Sequence, residues 1–363
     1  MQYKTEFIRD IGDYDKTMKR APVISNHLID SEDIIIDGAC SGTYWNSVFD
    51  HFCNGGYTAQ LITVHGLGDV KDGIDAYKTM HQFIHRNRDR VMLTTSVSQI
   101  LEAKEKGKLG VILHMEGAEN LGADLGNLEI HGRLGLRVLQ LAYNRRNYWC
   151  EGCLERGPDP GLSNLGRRLI PECNRLGIVI DGSHTSWRSV VEACELSRDP
   201  VICSHSNPYA VYQNRRNISD EVIYAIADTG GVVGINAFPL FVSDERPIRM
   251  ETFISHFTYV SDLVGSHHLS TGLDYFFRDF GEKNRSSLVA MGYWDDESYP
   301  PGQRLEWPQG LDDISAGIPN LAQGLSDGGF SKGEIKGILG ENLLRVFRQV
   351  WNPEFVLPQS PVS

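Results

Sequence analysis

The chain has 363 residues, 41% of them hydrophobic and 23% charged, with a formal net charge of −12, which fits a globular protein able to bury a large core. The acidic balance, with no Lys/Arg cluster to offset it, argues against a nucleic-acid or anionic-membrane surface. The charged start MQYKTEFIRD has no signal-peptide apolar stretch, no run of about 18 apolar residues could span a bilayer, and the tail PQSPVS is no lipid-anchor signal. A cytoplasmic protein without membrane attachment is expected.

In chain order, apolar runs at 34–37, 58–64, 110–115, 137–142, 177–181, 200–204, 231–236 and 269–273 predict eight strands. Helices are predicted between several of them, at 74–87, at 98–106 and from Ser219-Asp220-Glu221 onward, where acids in the first turn complement the helix dipole. Repeated βα units of this number predict a (β/α)8 TIM barrel occupying residues 1–363 as a single domain. A doubly wound open sheet is the alternative, and no Gly-x-Gly-x-x-Gly follows an early strand to support it. The turn-rich, aromatic stretch at 281–316, with Tyr293-Trp294, Tyr299-Pro300 and Trp307-Pro308, reads as a long loop after the last strand, serving either substrate specificity or surface packing. A C-terminal closing helix follows through Leu343-Leu344-Arg345-Val346-Phe347.

The 7 cysteines are odd in number and scattered, so a disulfide framework is not expected. Cys150-Glu151-Gly152-Cys153 has the spacing of half a zinc knuckle, but no second pair completes it.

In a barrel the active site is built from the C-terminal ends of strands. Here those ends offer Ala39 and Ser41, then His65, Glu116, Tyr143, His184, His205, Asn236 and Asp274. A lone histidine at such a place is commonly hydrogen-bonded scaffold. "DGSHTS" and "CSHSNP", however, put a Ser-His pair after two consecutive strands, and neighbouring imidazoles at a barrel mouth suggest a cation between them. Glu116, ending the apolar run VILHM, needs a partner or a metal, and Asp274 stands where a carboxylate could accept a proton from an attacking water.

With "MEGAENLG", "DGSHTS", "SHSN" followed by "RRNISDEVI", and "ILGENLLRVF" in that order, the chain resembles the membrane dipeptidase (renal dipeptidase) family of zinc peptidases, peptidase M19, among the amidohydrolase-like barrels. The resemblance implies that Glu116, His184 and His205 are metal ligands, that Arg216 holds a substrate carboxylate, and that Asp274 handles protons during hydrolysis. It also implies a homodimer. Two departures stand out. The family ends its first strand in His-x-Asp, both binding a first zinc, where this chain has Ala39-Cys40-Ser41. The family also has a histidine that assists the scissile carbonyl where this chain has Tyr143.

The expectation is a metal-dependent hydrolase cleaving an amide or related C–N bond in a small, carboxylate-bearing, dipeptide-like substrate. One Zn2+ would sit on Glu116, His184 and His205, and a second would bind only if Cys40 or His65 replaces the lost ligands. Arg216 and Tyr143 would bind substrate, and Tyr143 and Asp274 would act in catalysis. Cys40 as a nucleophile is a further alternative. The rival expectation is a repurposed homologue without hydrolysis, which binds a ligand or catalyses a metal-independent rearrangement or elimination.

Overall fold

The computed structural model describes residues 27–39, 45–65, 67–275, 282–303 and 305–351. Among the described residues nine strands are found: β1 Ile36–Asp37, β2 Ala59–His65, β3 Val91–Leu93, β4 Leu109–Glu116, β5 Leu136–Gln140, β6 Val179–Asp181, β7 Val201–Ile202, β8 Val233–Ile235 and β9 Leu269–Thr271. All pairings among them are parallel, in the order β7-β6-β5-β4-β2-β1-β9-β8. A parallel bridge from Cys203 to Val233 joins the two ends of that order, closing a (β/α)8 TIM barrel. The open-sheet alternative is thereby excluded, because such a sheet keeps two free edges.

The ninth strand is an addition to the predicted eight. Leu109, Gly110 and Val111 pair with β3, while the second half of β4 pairs with β5. Three residues between Arg90 and Thr94 are too short a run to announce a strand by periodicity. The stretch at 281–316 also differs from a plain loop. It holds a helix at Glu282–Ala290, and another helix, Ile314–Asp327, begins inside its end.

Several helices start on a serine whose hydroxyl accepts a backbone N–H from the first turn: Ser96, Ser163, Ser186, Ser219 and Ser331. Such caps satisfy helix-end donors that would otherwise be orphaned. They also fix where each strand-to-helix loop must end. Among the described residues, no helix is long and apolar enough to cross a membrane.

Strand alternation sorts the barrel interior into layers. At the N-terminal end Ile36, Ala59, Leu61, Ile112, Val138, Val179 and Ile202 form one apolar cluster with Leu343, Leu344, Val346, Phe347 and Val350. The last helix, Asn342–Val350, thus plugs the bottom of the barrel. Two residues further along each strand the inward side turns polar or bare, with Thr63, His114, Gln140, Asp181, Ser204, Gly234 and Gly272. Two further still stand Glu116 and Asp274. An apolar floor, a polar middle and a chemical mouth follow from period two alone.

The glycines of the middle layer are forced by close approach to β7. A Cβ at Gly38, Gly234 or Gly272 would collide with the Ser204 carbonyl oxygen, and one at Gly272 would also lie 2.8 Å from His205 Cα. Gly272→Ala is therefore expected to lower unfolding free energy by about 1–3 kcal/mol through overpacking. Gly333→Ala, where a Cβ meets nothing within 4 Å, should be neutral or stabilising, the helical preference for Ala being worth about 0.5–1 kcal/mol. Urea denaturation of the two variants checks the contrast, and equal midpoints would contradict it.

Candidate metal centre

Glu116 closes β4, while His184 and His205 follow β6 and β7 by three residues each. Glu116 Oε1 lies 3.3 Å from His184 Nε2 and 3.2 Å from His205 Nε2. The two Nε2 atoms are 3.0 Å apart. Among the described residues this is a group of metal-ligating side chains whose ligand atoms converge.

The hydrogen bonds behind the imidazoles decide what those three atoms can be. Asn144 Nδ2 donates to the Tyr293 carbonyl (3.2 Å), which fixes the amide orientation and turns Asn144 Oδ1 toward His184 Nδ1 at 2.7 Å. His184 Nδ1 must therefore donate. Ser204 Oγ gives its one proton to Asp181 Oδ2 at 2.5 Å, so His205 Nδ1, 2.7 Å from the same oxygen, must donate to it. With each neutral ring protonated on Nδ1, both Nε2 atoms present lone pairs. Burial, together with the Arg216 guanidinium, holds both histidines below their ordinary pKa and so keeps them neutral.

Two imidazole lone pairs and a carboxylate oxygen then face one another with no proton between them. A tetrahedral ion with bonds of about 2.0–2.1 Å separates its ligands by about 3.3 Å, which matches the spacings found. The residues present fit a divalent cation with three protein ligands, and the hydrogen bonds that the two rings make to Asn144 and Ser204 have already chosen the ligating tautomer.

Asp181 organises this arrangement from below. Its Oδ1 accepts the backbone N–H of Ser183 and of Ser204, each at 2.9 Å, the residues just before the two histidines. His114 Nε2 stands 3.1 Å from Oδ2. Burial works against the Asp181 charge, yet His114 and Ser204 hold its carboxyl well below the ordinary range. Sequence reasoning missed Asp181, Ser204 and Asn144. The repeated Ser-His pair was the one signal that pointed toward them.

The other predicted residues border the same centre. Asp274 follows β9 and accepts from Asn236 Nδ2 at 3.2 Å; burial first, and then the charge of Glu116, raise it well above the usual carboxylate range. Arg216 is buried, donating from Nη1 to Ser206 Oγ (3.1 Å) and from Nη2 to the His205 carbonyl (2.9 Å). Its Nε has no partner among the described residues. The Tyr143 ring stacks on His184 at 4.5 Å, and its oxygen accepts from Trp294 Nε1 (3.0 Å), leaving the phenolic proton to donate elsewhere. Trp294 stacks in turn on Tyr299 at 3.8 Å, so the aromatic stretch reaches the site.

Ala39 is buried at the end of the first strand and offers no ligand atom. Cys40 and Ser41 lie outside the described residues, as does the side chain of His65, whose backbone closes β2. Asp37 is spent on the barrel seam, accepting from Leu273 N (2.7 Å) and Gln60 Nε2 (3.0 Å).

A family model described as membrane dipeptidase (peptidase family M19) matches residues 35–283. The chain belongs to that family. A dipeptidase of Claviceps purpurea, tcpJ, is 26% identical over 87% of this chain and 68% of its own length. The dipeptidase aclJ of Aspergillus oryzae is 27% identical over 77% of this chain and 61% of its own. The chain thus spans about two thirds of the length of these curated relatives. Among solved structures, an amidohydrolase from Pseudomonas aeruginosa superposes with a TM-score of 0.80 at 30% identity, covering 88% of this chain and 97% of that one. Family membership makes the chain a dipeptidase-like metallohydrolase homologue, and the candidate ligand set of Glu116, His184 and His205 is of the kind such chemistry needs.

Ser204→Ala removes only the hydroxyl between Asp181 and His205. It is expected to weaken divalent-metal affinity by about 10–100-fold, the usual effect of losing the group that orients a ligating histidine, with the barrel still folded. Competition with a chromogenic chelator measures this, and unchanged affinity would show that Ser204 does not orient His205.

Proposed function

We propose that the chain is a metal-dependent hydrolase of the dipeptidase-like class that cleaves an amide or related C–N bond in a small substrate bearing a carboxylate. One zinc ion would be held by Glu116, His184 and His205. The observation that carries this reading is the convergence of three proton-free ligand atoms at 3.0–3.3 Å.

The chemistry such an ion supplies when bound is Lewis acidity, which polarises a carbonyl and makes water a competent nucleophile near neutral pH. Asp274 receives the proton of the attacking water and returns it to the departing amine, its Oδ2 held by Asn236. Arg216 offers the unpartnered Nε–H to a substrate carboxylate, and its other bonds fix the plane of the fork. Tyr143 donates to the oxygen that gains negative charge. Burial raises the Tyr143 pKa well above its ordinary value, so it stays protonated throughout.

Ala39 and Tyr143 favour a substrate other than an ordinary dipeptide, since the family's first metal motif and its carbonyl-assisting histidine are both replaced. The same two residues are what favour the rival reading, a homologue that no longer hydrolyses.

Metal analysis after reconstitution separates the two. The hydrolase reading expects one divalent ion per chain, lost in Glu116→Ala together with turnover of carboxylate-bearing amides. A wild-type protein that retains no stoichiometric ion would end it. Arg216→Lys should raise KM about 10–100-fold for substrates with the carboxylate, as loss of a charged hydrogen bond worth about 1.5–3 kcal/mol would. It should leave analogues lacking that group nearly unaffected, and an equal change for both would remove Arg216 from the carboxylate role.

A further inference from the structure

The Cys150-Glu151-Gly152-Cys153 run serves the site through its backbone. Gly152 passes so close to Asn144 that a Cβ there would collide with its carbonyl group. Leu154 N donates to the Asn144 carbonyl and Cys153 N to the His184 carbonyl, each at 2.9 Å. Asn144 and His184 both adopt left-handed backbone, with φ of 62° and 61°. The loop therefore clamps two strained residues side by side.

The Asn144 carboxamide, fully buried, uses every hydrogen-bonding position it has. Oδ1 accepts from His184 Nδ1 (2.7 Å) and from Cys153 Sγ (3.3 Å). Nδ2 donates to the Tyr293 carbonyl and to the Tyr299 hydroxyl, both at 3.2 Å. One half of the amide holds a candidate metal ligand, and the other half holds the aromatic stretch that delivers Trp294 to Tyr143.

We propose that Asn144 is a positioning residue that ties the 291–299 segment to the His184 imidazole, so that seating of the segment and readiness of Nε2 to bind a cation rise and fall together. The inference rests on the metal site proposed above. While the segment is seated, both Nδ2 donors are engaged and the amide cannot turn. Oδ1 then keeps the His184 proton on Nδ1, and Nε2 keeps its lone pair. When the segment lifts, Nδ2 loses both acceptors and the amide is free to rotate. The imidazole can then carry its proton on Nε2, the tautomer that cannot ligate.

Two variants take the link apart. Asn144→Asp keeps an acceptor for His184 Nδ1 and tolerates the left-handed backbone, but sets an oxygen against the Tyr293 carbonyl. Asn144→Gly removes both halves with no left-handed strain. The readouts are the 15N shifts of the His184 ring in metal-free protein, hydrogen exchange of the 291–299 amides with and without zinc, and zinc affinity by chelator competition. The wild type should show the Nδ1–H tautomer and slower exchange across 291–299 when zinc is added. Asn144→Asp should keep the tautomer, with zinc affinity no weaker, while its 291–299 amides exchange faster and lose their response to zinc. Asn144→Gly should lose the tautomer preference and bind zinc about 10–100-fold more weakly. Zinc-dependent protection that persists in Asn144→Asp, or an unchanged tautomer in Asn144→Gly, overturns the proposal. A wild type that binds no zinc overturns the metal-site reading alone. In that case the metal-free shifts and exchange rates of the three proteins still decide the link, and identical exchange in wild type and Asn144→Asp would refute it. If Asn144→Gly does not fold, the Asn144→Asp exchange rates decide.

Discussion

The buried carboxylate of Asp181 is the constraint on which the rest of the site depends. Removing a carboxylate from water costs several kcal/mol, which only well-placed donors offset. Here the donors are the N–H groups of Ser183 and Ser204 and the Ser204 hydroxyl, with the His114 ring lying beside the same carboxylate, its Nε2 3.1 Å from Oδ2. All three donors belong to the residues immediately before His184 and His205. Satisfying one charge therefore fixes the take-off of both ligand loops and the tautomer of one ring. The imidazoles cannot shift independently without exposing an unpaired anion in the barrel interior. The anion also explains the polar middle layer, which would be poor packing by hydrophobic criteria alone.

Backbone strain is concentrated at the same place. Among the described residues, the non-glycine residues with positive φ are Asn144, His184 and Asp274, and all three border the centre. Each such residue costs roughly 1–2 kcal/mol relative to ordinary backbone, a cost sustained only where surrounding contacts over-determine the conformation. The physical return is direction. At His184, three residues past the inward Asp181, strand alternation alone would aim the side chain away from the axis, and the left-handed backbone is what brings it back toward the mouth. The closed barrel and its apolar plug supply the rigidity that holds this geometry. The hydrogen bonds of Asn144 extend the over-determination to the aromatic segment.

The barrel was legible because its strands are apolar runs with few rivals, and Glu116, His184 and His205 were legible because each stands just past such a run. Position along a strand translates directly into height in the barrel. Val91–Leu93 was not legible, since three residues carry no period and pair only by virtue of a free stretch of β4 edge. The helix Glu282–Ala290 was hidden among turn-forming aromatics downstream. Asp181, Ser204 and Asn144 escaped for a different reason. Their importance lies in which atom accepts which proton, and residue order does not contain that. The CxxC spacing of Cys150 and Cys153 is uninformative for the same reason: Gly152 and the Cys153 N–H do the structural work, and the Cys153 thiol adds a hydrogen bond to Asn144 Oδ1.

The replacement of two family motifs has a coherent electrostatic meaning in the proposed reading. Ala39 contributes a methyl group where family members place a metal ligand, so in that reading Glu116 would serve a single cation. Tyr143 contributes a neutral donor where a histidine could carry charge, and burial keeps its proton in place. Both changes lower the positive charge near the reacting carbonyl. What compensates is orientation: Tyr143 is stacked on His184 and pinned through its oxygen by Trp294, so its remaining proton has few directions in which to point. A preorganised neutral donor in a dry site can stabilise developing charge without reorganising at the moment of reaction. Such a donor also selects more sharply by position than a diffuse charge does, which places the burden of substrate choice on the aromatic segment that holds Tyr143 still.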